Sequence, residues 1–405
     1  NKKHKLEYLF MQRDIYDYKI NYEMSILGYY CNTDRYDLAK ISMDVLAYPH
    51  LEEAVAKNVM SNYKFYANSV AKLDISQETD SNRQLIELCK TIGQDKMREE
   101  TDFVSSTPSI VRLSPTKYAV NVRFVNYSID GKGGYVQKSK IETKNVLAVI
   151  EKVGANDSDD EDTEEDQEQQ SWTITSEVFV KHDATLDDFY VGIEDVRLFC
   201  GAGWSNESNT IFYNGNRGLP SGSMEVETGS INPVTGETTP PNFPHIPNQG
   251  RLEKNWVYLD GATNKQMIYG WSPLTVGNIV GEGNDAKYVK IEVEISTPYF
   301  FRYLRGSTNG VTVGDEIWFI CHSVSYEDRR YYYHLAVVLD RQTLAVKKYT
   351  PLFTFEKEPV EYTLGFTYEE KDDAFFIGYS VMDNRTEYVM IPKAKFDKMM
   401  IEYSV

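Results

Sequence analysis

Two adjacent acids and an arginine interrupt an apolar, strand-like run, Gly192-Ile193-Glu194-Asp195-Val196-Arg197-Leu198-Phe199. Burying such charges is costly unless they pair or face a cleft. A pocket-facing carboxylate with an arginine two residues on could donate a proton or clamp a sugar. It could equally be a structural Asp–Arg pair tying a loop to a strand. Polar clusters of this kind recur, centred on Arg123, Asp195, Lys254, His322 and Asp383, at intervals of 72, 59, 68 and 61 residues. A near-constant interval is what a repeated blade produces when each blade delivers its inner strand to one axis. The interval exceeds the roughly 40–50 residues of familiar propeller repeats.

Each of these residues also has a structural reading. Arg123 could pair with an acid on a neighbouring strand, and Lys254 with Glu253 could be a solvated surface pair. His322 could be a satisfied core histidine and Trp256 a core residue. Asp383, in Met382-Asp383-Asn384-Arg385, could simply be a turn residue.

The elements that must hold these clusters come in two kinds. Residues 1–95 read as helical, with apolar residues at helical spacing over 22–30 and 38–46. Asp34 is placed to cap the second helix, and further helices fit 51–60, 62–73 and 81–91. Short paired helices of this kind resemble a tetratricopeptide-like solenoid; a helical cap on the next domain fits equally. Residues 101–405 read as strands. Alternation over 109–113 and 118–127 flanks a Ser-Pro-Thr-Lys turn, and 316–321 pairs with 331–339 and 374–380 with 387–391. Short strands with regular turns mean a sandwich, barrel or propeller, and the cluster interval selects a five-bladed β-propeller, a mainly β fold. Two insertions lengthen the blades. Residues 156–170 are acids, Ser and Gln, too polar to order themselves. Residues 228–250 are rich in Pro, Gly, Thr and Asn and read as a long lid or binding loop.

The chain has 405 residues and a net charge of −18, of which nine acids between Asp157 and Glu168 leave −9 for the rest. That balance argues against a nucleic-acid partner. Thirty tyrosines and five tryptophans suit either sugar sites or aromatic-rich sheets. No run of 18 or more apolar residues occurs, so no membrane span is expected. Four widely spaced cysteines without metal-ligand spacing point to reduced thiols and a cytoplasmic location. The start at Asn1 leaves room for an upstream domain in the same polypeptide. No nucleophile elbow, P-loop or His-Glu-x-x-His motif is present, and with six scattered histidines neither a metal nor a cofactor is expected. Asp130-Gly131-Lys132-Gly133-Gly134 reads as a hairpin turn.

Ser-Thr-Pro-Ser-Ile (106–110), Asn-Val-Arg-Phe (121–124), Gly-Ile-Glu-Asp-Val-Arg (192–197), Glu-Lys-Asn-Trp (253–256) and Asp383 follow, in order, the motifs of a five-bladed propeller family. They resemble the β-mannoside phosphorylases and hydrolases of glycoside hydrolase family 130 and the related mannosyltransferase–phosphorylases of glycosyltransferase family 108. Cys-His-Ser (321–323) resembles the family's Tyr-His-Gly, and Pro359 to Gly365 its Glu-x-x-Gly turn. The resemblance covers about three quarters of the chain. It implies an inverting glycosyl transfer or phosphorolysis on mannose-type glycosides, with Asp195 as proton donor acting through a sugar hydroxyl. It implies that Arg123, Lys254 and His322, with Arg305, supply cations for a sugar phosphate or nucleotide-sugar diphosphate. Glu194, Arg197, Asn255 and Asp383 would hold sugar hydroxyls, and Trp256 or Trp271 would offer a stacking face. The chain departs from the family at Val196, where proline is usual, at Arg305 to Asn309, and in its helical N-terminal region. These departures favour transfer over phosphorolysis, with hydrolysis open. They also favour an alternative, a non-catalytic glycan- or protein-binding propeller module of a larger glycosylation protein.

Overall fold

A computed structural model describes residues 12–31, 35–71, 79–136, 139–154, 171–200, 210–247, 250–259, 266–292 and 294–403. The chain is mainly β, and its described strands form five separate sheets. The first sheet is a meander of Val104–Ser114, Lys117–Val125, Ile141–Val153 and Ser171–Phe179, with Tyr190–Val191 added in parallel. The second is Ile193–Phe199, Ile211–Gly218 and Met224–Ile231. The third runs from Val257–Tyr258 through Gln266–Trp271 and Leu274–Val280 to Lys287–Lys290. The fourth is built on the long hairpin Glu316–Tyr326 with Arg330–Asp340, and the edge strand Arg305–Gly306 pairs with the first of these. The fifth is Glu361–Glu369, Ala374–Val381 and Arg385–Pro392.

Buried polar groups must find partners, and here many find them across sheets. Asn145 Nδ2 of the first sheet donates to Ile193 O of the second at 2.8 Å. Asn214 Nδ2 donates to Trp256 O at 2.7 Å, which joins the second sheet to the third. Gly310 N donates to Tyr258 O at 3.0 Å, joining third to fourth. His334 Nε2 lies 3.0 Å from Glu361 O, joining fourth to fifth. Thr107 Oγ1 and Ser380 Oγ, 2.8 Å apart, join the fifth sheet back to the first.

The helices Leu38–Leu46 and Glu53–Asn62 bury Met43, Val45, Leu46, Val59 and Met60 in one core with Val257, Ile268, Phe319 and Leu335 of the third and fourth sheets. The helix Asp80–Thr91 packs Leu85, Ile86 and Cys89 on the first sheet. Among the described residues the helices have no core of their own. Two expectations change. The helix expected over 62–73 does not form across its described residues, 62–71: a 3₁₀ turn at Tyr63–Phe65 leads into the strand Asn68–Ser69, parallel to Phe353–Thr354. Val70 N and Ala71 N then donate to Thr354 O and Phe355 O, so sheet pairing overrides the helical pattern. The second helix is capped by Asp37, whose carboxylate accepts from Lys40 N at 3.0 Å; Asp34 lies outside the described residues. The acidic segment 156–170 lies outside them too. Of the expected long loop, residues 228–231 end a strand, and isolated bridges at Thr238, Asn242 and His245 tie down much of the rest. The turn at 130–134 forms as expected, with Asp130 Oδ1 accepting from Lys132 N and Gly134 N.

Candidate functional site

Asp195 sits where the strand Ile193–Phe199 bulges, the register with Ile211–Gly218 shifting between Glu194 and Arg197. Its φ is +52°, a left-handed conformation that aspartate tolerates better than most residues. A bulge re-aims a side chain that regular alternation would send elsewhere. Gly192, three residues earlier, permits the approach: its φ is +87°, and a Cβ there would lie 2.2 Å from Thr143 O.

The bulge delivers Asp195 to Arg123. Arg123 Nη1 donates to Asp195 Oδ1 at 2.7 Å, and Asn216 Nδ2 donates to Oδ2 at 3.1 Å. Arg123 is almost fully buried and also reaches the Tyr127 hydroxyl at 3.3 Å and Glu194 at 3.9 Å. Burial opposes its charge, but the Tyr127 hydroxyl and the Asp195 and Glu194 carboxylates outweigh it and hold the guanidinium charged. Lys254 Nζ donates to Glu194 Oε2 at 3.1 Å. Burial works against this ammonium as well, and Glu194 and Asp195 raise its pKa in spite of it. Asp383 accepts from Ser106 Oγ and from the Tyr127 hydroxyl, each at 3.2 Å. Burial lifts its carboxyl above the ordinary range, with Arg123 opposing and Asp195 adding to the lift.

Arg197 belongs to the same assembly but is spent on it. Its Nε donates to Ser307 O at 2.6 Å, Nη1 to Asp195 O at 3.0 Å, and Nη2 to Asn255 Oδ1 and the Tyr362 hydroxyl at 3.3 and 3.1 Å. It braces four sheets together and touches Asp195 at its carbonyl, not its carboxylate. Asn255, with φ +65°, also accepts from the Tyr362 hydroxyl at 3.1 Å. Of eight described non-glycine residues with positive φ, four (Asp195, Asn255, Met382 and Asp383) fall here. Backbone strain concentrated in this way points to a functional site.

His322 meets the assembly through its ring, edge-on to Tyr362 at 5.0 Å, and its Nδ1 lies 2.8 Å from Ser307 Oγ. Burial, with His334 and Arg305 nearby, pushes its pKa well below the ordinary imidazole value. The expected cation at 322 is therefore a neutral ring, a hydrogen-bonding group and not a charge. Arg305 is exposed on the edge strand directly opposite His322, and among the described residues it makes no ion pair or hydrogen bond. The two tryptophans are corrected as well. Trp256 is buried edge-on against Tyr269 and Tyr288, and Trp271 against Phe319, so neither presents a face to a ligand.

The sequence therefore names the members Arg123, Glu194, Asp195, Arg197, Lys254, Asn255, His322 and Asp383, which the fold brings together. It misses Tyr127, Asn216 and Tyr362. Tyr127 lies four residues beyond Arg123, just past the end of its strand at Val125, and reaches back to the guanidinium. Tyr362 follows the Glu361 of the noted turn. Asn216 has no local signal. The expected turn is not formed at 361–365, because Glu361 opens the strand Glu361–Glu369; its carboxylate instead ties down the bends before that strand, accepting from the backbone N–H of Phe355, Glu356 and Glu358. Among the described residues no cluster of three His, Cys, Asp or Glu side chains could hold a metal ion.

No family model matches the chain, and no curated protein does. Among solved structures it is similar to a β-1,2-mannobiose phosphorylase from Listeria innocua, with 10% identity, 74% of this chain and 93% of that one covered, and a TM-score of 0.43. A mannose phosphorylase from Leishmania mexicana aligns at 12% identity over 75% of this chain and 88% of its own, with a TM-score of 0.38. A GDP-Man-dependent mannosyltransferase from the same organism aligns at 11% over 72% and 86%, also at 0.38. The likeness to these proteins is one of fold.

Proposed function

We propose that the chain is a carbohydrate-active enzyme on a five-bladed propeller, acting on mannose-type glycosides with inversion. The cyclic run of hydrogen bonds from first sheet to fifth and back supports five blades around one axis. The observation that carries the enzyme reading is Asp195: a half-buried carboxylate on a strained backbone, aimed by a bulge at a paired cation, with Glu194–Lys254 and Asp383 beside it.

The chemistry follows from the charges. Phosphate, already anionic, needs no second carboxylate as base when it attacks the anomeric carbon. The new bond joins that carbon to a phosphate oxygen, and the glycosidic oxygen leaves with a proton passed from Asp195 through a sugar hydroxyl. In the direction of synthesis an acceptor hydroxyl attacks the anomeric carbon, its proton passes through the sugar hydroxyl to the Asp195 carboxylate, and the bond to phosphate or a nucleoside diphosphate breaks. Arg123, Lys254 and Arg305 are the cations for that group.

Two observations support other assignments. Burial raises the pKa of Asp383, which makes it a second candidate for the proton donor. Both oxygens of Asp195 already accept hydrogen bonds, which favours a site that binds glycan without turnover. The test is a product assay with mannose 1-phosphate or GDP-mannose and a panel of mannosides, using wild type, Asp195→Asn and Asp383→Asn. Release of inorganic phosphate means a phosphorylase, and product from GDP-mannose alone means a transferase. Loss of turnover by about 10²–10⁴ in Asp195→Asn alone assigns it the proton. Full activity in that variant sinks the assignment, and glycan binding without product in wild type supports the binding module.

A further inference from the structure

A groove of about 560 Å³ lies between the helix Glu53–Asn62 and the strand Glu316–Tyr326, and residues 302–305 also line it. Ligand sites occupy roughly 300–1,000 Å³. Most of its charges are spent on one another. Glu53 takes Lys57 at 3.8 Å and Arg302 at 3.4 Å, and Glu327 is paired with Lys64. What stays available is of another kind. Arg305 and the hydroxyls of Ser61 and Ser323 line the groove, and among the described residues none of them has a hydrogen-bond partner. Tyr303 and Tyr326 also line it, and Tyr326 is 68% exposed.

Neutral hydroxyl donors on both walls, aromatic faces and a single unspent cation suit a polyhydroxylated ligand better than a peptide or nucleic acid. The place of the cation is the second observation. Arg305 lines the groove and is the register partner of His322, whose ring touches Tyr362 of the axial site. Arg305 thus stands between the groove, which it lines, and His322, its strand partner. We propose that this groove holds the acceptor glycan: a short oligosaccharide lies along it, with its reacting end entering the axial site past Arg305. The helical N-terminal region then has a role in acceptor choice, since Ala54, Asn58 and Ser61 form one wall. This assignment rests on the axial site being a glycosyl-transfer site.

The experiment fills the groove. Ser61→Trp and, separately, Ala54→Trp place an indole on the helical wall, and thermal melting confirms that each variant folds. Binding of linear mannotriose and of mannose 1-phosphate is measured by calorimetry on both variants, wild type and Asp195→Asn. The expected result is mannotriose binding weakened at least about tenfold in each folded groove variant, with mannose 1-phosphate binding kept within about twofold. Mannotriose binding unchanged in a folded groove variant, or absent from wild type, overturns the proposal. If mannotriose binding depends on the groove but mannose 1-phosphate binds no form of the protein, the groove stands and the axial reading fails.

Discussion

Acidification from about pH 7.5 to about pH 5 is expected to cost the fold about 2 kcal/mol through His334 alone. This histidine is fully buried beside Phe353 and Phe355, where burial pushes its pKa down to about 3. Its Nε2 donates to Glu361 O at 3.0 Å, and its Nδ1 has no partner among the described residues. A second proton would put an unpartnered N–H and a charge into an aromatic core. The unfolded chain takes that proton near pH 6.5, so below that value it binds more protons than the folded chain. Stability from this group is therefore whole above about pH 6.5 and is lost as pH falls towards 3. About 1.5 pH units separate pH 5 from the unfolded value, at about 1.36 kcal/mol each. Equilibrium urea unfolding of wild type and His334→Gln at both pH values isolates the effect. The glutamine amide can still donate to Glu361 O, and all other titrating groups, including His322, remain. The acid-induced loss should be smaller in the variant by about 2 kcal/mol. An equal loss in the two proteins would refute the burial argument.

Two further outcomes test the site. Gly306→Ala would place a Cβ 2.7 Å from Asn255 O and 2.7 Å from a Val257 methyl. It should lower stability by about 1–3 kcal/mol in urea unfolding and weaken donor binding by unseating the Arg197–Asn255–Tyr362 brace; unaltered binding would show that the brace does not position the site. Trp256→Phe should cost about 1–3 kcal/mol as a core truncation and leave glycan binding within about twofold. A loss of binding of about tenfold or more in the folded variant would restore the stacking role the structure denies it.

Much of the site was legible because strand chemistry is local. The hairpins at 104–125, 316–340 and 374–392 follow from period-two alternation and turn residues, both set by neighbours along the chain. The clusters around Arg123, Asp195, Lys254, His322 and Asp383 drew attention to these residues without knowledge of any contact. Acids and an arginine inside an apolar strand marked Glu194, Asp195 and Arg197 as residues that needed partners.

The identity of those partners lay outside the sequence. Arg197, two residues from Asp195, is bound instead to Ser307, Asn255 and Tyr362, while Arg123, 72 residues away, takes the Asp195 carboxylate. The helical pattern at 62–73 gave way because Phe353–Thr354 offered a sheet edge to Asn68–Ser69. Trp256 is core and His322 neutral for one reason: their burial depends on which sheets adjoin, and no residue type encodes that. Local period and residue chemistry thus determined the strands and nominated the charged residues. Ion pairing, protonation and the groove beside Arg305 required sheets far apart in sequence to meet, because these depend on distance and desolvation between elements that the chain joins only by folding.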